Sequence, residues 1–133
     1  MRQHAEWAEA GNAAIVTLLA ILVTLFVFLM ATNFIVDQYA QGVLRTAVDE
    51  GARAGSLEGA PAGAQSACQA KERQVMSGLL AGSFAAGIRL DCALDGGEVV
   101  ATASGKLPAW LPPVPAVPVH SVGTSILEVD PSP

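Results

Sequence analysis

Ala13–Val36 reads AAIVTLLAILVTLFVFLMATNFIV, 24 residues without a single charge. A helix of that length spans roughly 36 Å, enough to cross a hydrocarbon core of about 30 Å with some tilt. In lipid every backbone N–H and C=O must find a partner inside the segment, and a helix meets that demand. Thr17, Thr24 and Thr32 are tolerable there, because a hydroxyl can bond back to a carbonyl one turn earlier. A buried helix of a soluble core is the competing reading. It is poor, because the other residues of this 133-residue chain are too few to wrap a helix that is apolar all round. A cleaved signal peptide fits less well than an uncleaved anchor. Its apolar core would be shorter and its flank basic. Here Arg2 is set against Glu6 and Glu9, and Leu29-Met30-Ala31 lacks a small residue at its first position.

Outside this run the chain is ordinary in polarity. Half of all residues are hydrophobic, 14% are charged and the net charge is −5. A soluble domain usually carries about a quarter charged residues. After Val36 there are six basic and ten acidic residues. That balance argues against nucleic acid, which needs clustered Lys and Arg, and against a polybasic lipid-binding patch. Orientation is pulled two ways. Arg45 and Arg53 follow the span and Arg2 precedes it, which by the positive-inside rule favours a cytoplasmic C-terminus. Cys68 and Cys92 are the only cysteines, a pair compatible with one disulfide or with two buried thiols. A disulfide would favour the opposite side.

The helical pattern continues past the span as a stalk over residues 37–58. Val36, Ala40, Val43/Leu44, Ala47/Val48, Gly51/Ala52 and Gly55 recur at three- and four-residue steps. Arg45, Asp49 and Arg53 lie one turn apart on the polar side. Ala40, Ala47, Gly51, Ala54 and Gly55 form a small-residue stripe that lets another helix come close. That helix would belong to a partner subunit. The alternative is that the stripe packs on the protein's own sheet. The helix should stop near Gly55–Gly59, ahead of Pro61.

A second helix is expected over 64–86, with Cys68, Val75, Leu79 and Leu80 on its buried side and Gly78 and Gly82 weakening it. Ile88, Leu90, Cys92 and Leu94 alternate with Arg89 and Asp91, as in a half-buried strand. Asp95-Gly96-Gly97 is a hairpin turn, and Glu98–Ser104 returns as its partner. Lys106–Pro118 holds five of the eight prolines and reads as an extended connector, with Trp110 a packing anchor over the sheet. Val119–Val129 reads as the last strand.

Chemistry is sparse in this sequence. His4 and His120 are far apart, and neither has a Cys, His or carboxylate at ligand spacing. No nucleophile elbow, phosphate loop or dinucleotide fingerprint occurs. Cys68 has no His near it in sequence, which favours a structural role. The expectation is therefore a protein that is not an enzyme, with no catalytic residue, metal, cofactor or small-molecule substrate.

Gly11-Asn12-Ala13-Ala14-Ile15-Val16, the apolar run, and then Ala47-Val48-Asp49-Glu50-Gly51-Ala52-Arg53-Ala54-Gly55 resemble the TadE/TadG-like proteins. These are minor pilins or pseudopilins of tight-adherence (Flp-type) pilus systems. The Cys before an Asp-Gly-Gly hairpin, the Leu-Pro-Ala-Trp-Leu-Pro-Pro loop and the final Val/Thr-rich strand are similar to actinobacterial members. The resemblance implies a cytoplasmic N-terminus, an exported C-terminal domain and a Cys68–Cys92 disulfide. It implies as partners the lipid bilayer, other pilins or pseudopilins and the pilus assembly platform. It makes Gly11-Asn12 a candidate processing site. The chain departs from the pattern at one position: where related pilins carry Glu five residues after the processing Gly, it has Val16, then Thr17. An uncleaved assembly factor and a minor tip subunit both stay open.

The expected architecture is α+β. It has a segment 1–12, a membrane helix 13–36, a helical stalk 37–58, and a small domain 59–133 of one helix and a three-stranded antiparallel sheet. The expected function is structural, in a pilus or related secretion system. The alternative is a single-pass accessory subunit of an envelope enzyme or transporter.

Overall fold

The structure, a computed structural model, describes residues 2–80, 82–109 and 114–128, and side chains from residue 12 onward other than that of Ser83. Among the described residues, three helices precede three strands: α1 (Arg2–Ser56), α2 (Pro61–Leu79), α3 (Ser83–Ala86), β1 (Ile88–Asp95), β2 (Glu98–Leu107) and β3 (Val117–Ile126). The chain forms two units, Met1–Ile35 and Val36–Pro133.

The first unit is one stretch of α1. Residues 12–28 are all exposed. Thr17, Thr24 and Thr32 each donate their hydroxyl to the carbonyl four residues back, at 2.8–2.9 Å. The three threonine hydroxyls are thereby satisfied within the helix. It is long and apolar enough to cross a membrane.

The second unit is a two-layer α+β domain. Its first element is the rest of α1, so the residues expected as a separate stalk are part of the domain's core. Val43, Leu44, Ala47, Val48 and Ala52 are buried on one face, as the three- and four-residue spacing requires. The helix ends where Glu58 N–H turns back to Gly55 O, and Gly59 takes φ +67°. Pro61 then opens α2 at a position that needs no N–H.

Helix α2 is shorter than expected. It stops at Leu79, Leu80 is capped by its N–H on Met76 O, and α3 is a separate turn. Its buried row is Ala64, Cys68, Glu72 and Met76, a clean four-residue repeat. Of the expected buried face, Cys68 and Leu80 are buried and Val75 packs against the core, whereas Leu79 is exposed and Glu72 and Met76 complete the row.

The sheet is an antiparallel meander, β1-β2-β3. Asp95 pairs with Glu98 across Gly96 and Gly97, whose φ values of +57° and +90° suit a two-residue hairpin turn. β2 runs to Leu107 and β3 begins at Val117, so both ends of the proline-rich segment lie in strands. Trp110, expected over the sheet, lies outside the described residues. The inner face carries Cys92, Val99, Ala101, Ala103, Leu107 and Val119, all buried. Across it runs the row Cys92–Ala101–Gly123. One end meets α2. At the other, Gly123 sits against the α1 backbone, where an added Cβ would lie 2.7 Å from the Val48 carbonyl carbon and 2.8 Å from its oxygen. The fall in side-chain size along that row lets the helix settle onto the sheet.

Candidate functional site

Two features stand out, one exposed and one buried. The exposed one is the apolar surface of residues 12–28. Ile15, Leu18, Leu19, Ile21, Leu22, Leu25 and Phe26 are each more than half exposed. Shallow grooves run along it, one of them between Thr17, Ile21, Thr24 and Phe28. An unbroken apolar surface of this extent marks a contact with lipid or with another apolar surface. Gly11 and Asn12, the candidate processing site, lie within the continuous helix α1, with Asn12 exposed.

The small-residue stripe is not part of that surface. Ala40, Ala47, Gly51 and Gly55 are buried inside the second unit, and Ala54 is half-buried. A Cβ on Gly51 would meet Glu72, and one on Gly55 would meet Ala64 O, Val99 and Cys68. The close approach foreseen for these residues occurs, but with the chain's own α2 and sheet. The expectation of a partner helix at Gly51 and Gly55 is corrected accordingly: that space is filled.

The buried feature is a cluster where α1, α2 and β1 meet. Cys68 and Cys92 are joined, with Cα atoms 6.3 Å apart, so the disulfide pins α2 to the sheet. Gln65 Nε2 donates to Cys92 O at 3.0 Å, adding a second tie between the same elements. Beside the bridge lies Glu72, with no exposed surface. Its Oε2 is 3.3 Å from Cys92 Sγ, and its Oε1 has no partner among the described residues. A disulfide sulfur has no hydrogen to give. The contact is therefore a hydrogen bond only when the carboxyl is protonated and donates to sulfur. Burial, and then the Asp91 carboxylate, push the Glu72 carboxyl up to about 7, with Arg73 opposing.

Sγ of Cys68 and Cys92 and a Glu72 oxygen lie within 4.8 Å of one another. Tied as a disulfide, the sulfurs are not thiolates, and the trio is not a metal-ligand set in this state. Sequence reasoning placed both cysteines here but missed Glu72. The signal was present: Cys68-x-x-x-Glu72 puts the two on one face of a helix.

His120 is exposed on β3. It borders a cleft of ≈160 Å³ with Gln41, Leu44, Arg45 and Ser121. Among the described residues, no carboxylate or thiol lines this cleft. Comparison with family models, with curated proteins and with solved structures gives no match.

Proposed function

We propose that the chain is a membrane-anchored structural protein of a tight-adherence pilus or related secretion system, acting as a minor pilin or pseudopilin. Its N-terminus would be cytoplasmic and its α+β domain outside the membrane. The observation that carries this reading is the helix over residues 12–28, uncharged and exposed on every side, leading directly into a disulfide-bridged domain. The likeness of Gly11–Val16 and Ala47–Gly55 to TadE/TadG-like proteins supplies the system. Because the stalk stripe is filled, contact through the helix itself falls to the apolar run. Bulky Leu, Val and Phe would pack there with lipid and with neighbouring helices by van der Waals contact.

The test places a photo-crosslinking residue at Leu22 or Phe26 in cells and fuses alkaline phosphatase, active only after export, to the C-terminus. The reading expects an active fusion and adducts to pilin-type subunits. An inactive fusion removes the topology. Adducts to lipid alone, from a protein still needed for the pilus, remove assembly through this helix.

A further inference from the structure

A carboxyl group held out of water is costly unless it has a partner, and Glu72 has one oxygen without any. The fold makes room for it deliberately in one sense: α1 presents Gly51 there, and any side chain at 51 would occupy the place of Glu72 Cγ. The charged groups around it are few. β1 brings Asp91 and α2 itself brings Arg73. Glu50 and Lys71 line a groove with Thr46 and Val75. The inner face of β2, through Val99, Ala101 and Ala103, brings none.

We propose that Glu72 is the proton acceptor for closure of the Cys68–Cys92 disulfide, so that the three side chains form a proton-coupled thiol–disulfide site. The step begins with Cys68 in a mixed disulfide with a thiol donor, R–S–S–Cys68. The Glu72 carboxylate takes the proton from Cys92 Sγ–H. The Cys92 thiolate attacks Cys68 Sγ, the Cys68–donor bond breaks, and RS⁻ leaves and is protonated by solvent. The oxidant is the donor disulfide RSSR; two electrons pass to it, giving two RSH overall. Glu72 ends protonated, and its Oε2 lies 3.3 Å from Cys92 Sγ, close enough for Oε2–H to point at the sulfur. In reverse, the same proton is in place for the Cys92 sulfur as the bridge opens. The carboxyl's shift to about 7 keeps it ionised enough to accept a proton and weak enough to hold it near neutrality. In the bridged form both sulfurs are almost fully buried, and Glu72 is the acceptor group lying within 3.3 Å of Cys92 Sγ. This site stands apart from the assembly reading and does not depend on it.

The full chain in detergent is reduced, mixed with oxidised glutathione, quenched with an alkylating agent at intervals, and its reduced, mixed and closed forms are counted by mass spectrometry from pH 5.5 to 9. The wild-type closure rate should rise to a bend near pH 7 and then stay level to about pH 8. In Glu72→Gln the glutathione adduct should accumulate, closure at pH 6–7 should slow at least tenfold, and the rate should keep climbing until it meets wild type near pH 9, where the thiol ionises unaided. Glu72→Asp should keep the bend. Profiles of one shape for wild type and Glu72→Gln, or a deficit of equal size at every pH, would overturn the proposal. Should Glu72→Gln fail to fold when reduced, the wild-type profile decides alone, and a rate that rises tenfold per pH unit without a bend refutes it.

Discussion

Gly51 of α1 lies directly over Glu72 of α2. A Cβ at residue 51 would stand 2.6 Å from Glu72 Cγ and 3.3 Å from the Cys68 carbonyl oxygen. Glu72 has no free space to retreat into, since it is fully buried. Alanine normally favours a helix over glycine by about 1 kcal/mol. Overpacking costs about 1–3 kcal/mol and here should exceed that gain. Gly51→Ala is expected to lower stability by about 1–2 kcal/mol. Gly42→Ala, on the same helix with nothing within 4 Å, should raise it by up to about 1 kcal/mol. Denaturant midpoints of the two variants, compared in one detergent, should move in opposite directions.

At Gly123 the obstacle is backbone. The added Cβ would be 2.7–2.9 Å from the Val48 carbonyl group and Asp49 N, and none of these can rotate aside. Gly123→Ala should cost about 3 kcal/mol, the upper end for overpacking, because α1 must lift from β3. A thermal midpoint within a degree or two of wild type would contradict the close contact.

Glu72 should also give the domain an unusual pH response. Its carboxyl goes from an ordinary 4.5 to about 7 in the fold, so the folded chain holds the proton more tightly than the unfolded one. The associated stability is complete below about pH 4.5 and is lost as pH rises through about 7. The total is on the order of 3 kcal/mol. Glu72→Gln should remove this slope between about pH 4.5 and 7 in the oxidised protein. Unfolding curves taken at half-unit pH steps would show it, and equal slopes for both proteins would contradict the assignment.

Much of this arrangement was legible in the sequence. The uncharged run, the stripe from Ala40 to Gly55, the alternation through Cys92 and the Gly96-Gly97 turn each repeat a local rule several times over. What was not legible depends on three-dimensional neighbours. The four-residue step from Cys68 puts Glu72 on the buried face of α2, but nothing local says that Gly51 leaves room there for a carboxyl. The owner of the small-residue stripe was equally hidden: spacing shows that a backbone comes close, and only the fold shows that it is α2 and the sheet. The end of α2 at Leu79 came from the chain's need to turn into β1, which outweighed the helical pattern running on to Ala86.

Loss of the bridge should be costly. The disulfide closes a loop with a sequence separation of 24, worth about 3 kcal/mol by the chain-entropy account. The double variant Cys68→Ser, Cys92→Ser should lose stability of that order while retaining its helix content. Circular dichroism with urea titration distinguishes this from a variant that cannot fold.

Both bridged cysteines lie after α1 in the chain, and this has a mechanical consequence. A pull that separates residue 36 from residue 128 acts first on the seam where Gly51, Gly55 and Gly123 hold α1, and no covalent link crosses that seam. The helix can therefore peel under load with the bridge intact. The bridge then sets how far the chain can run out: the residues from 68 to 92 stay locked, and an oxidised molecule reaches its full length about 80 Å sooner than a reduced one. Between α2 and the sheet the bridge thus acts as a tether of fixed reach, and the glycine seam as the element that yields ahead of it.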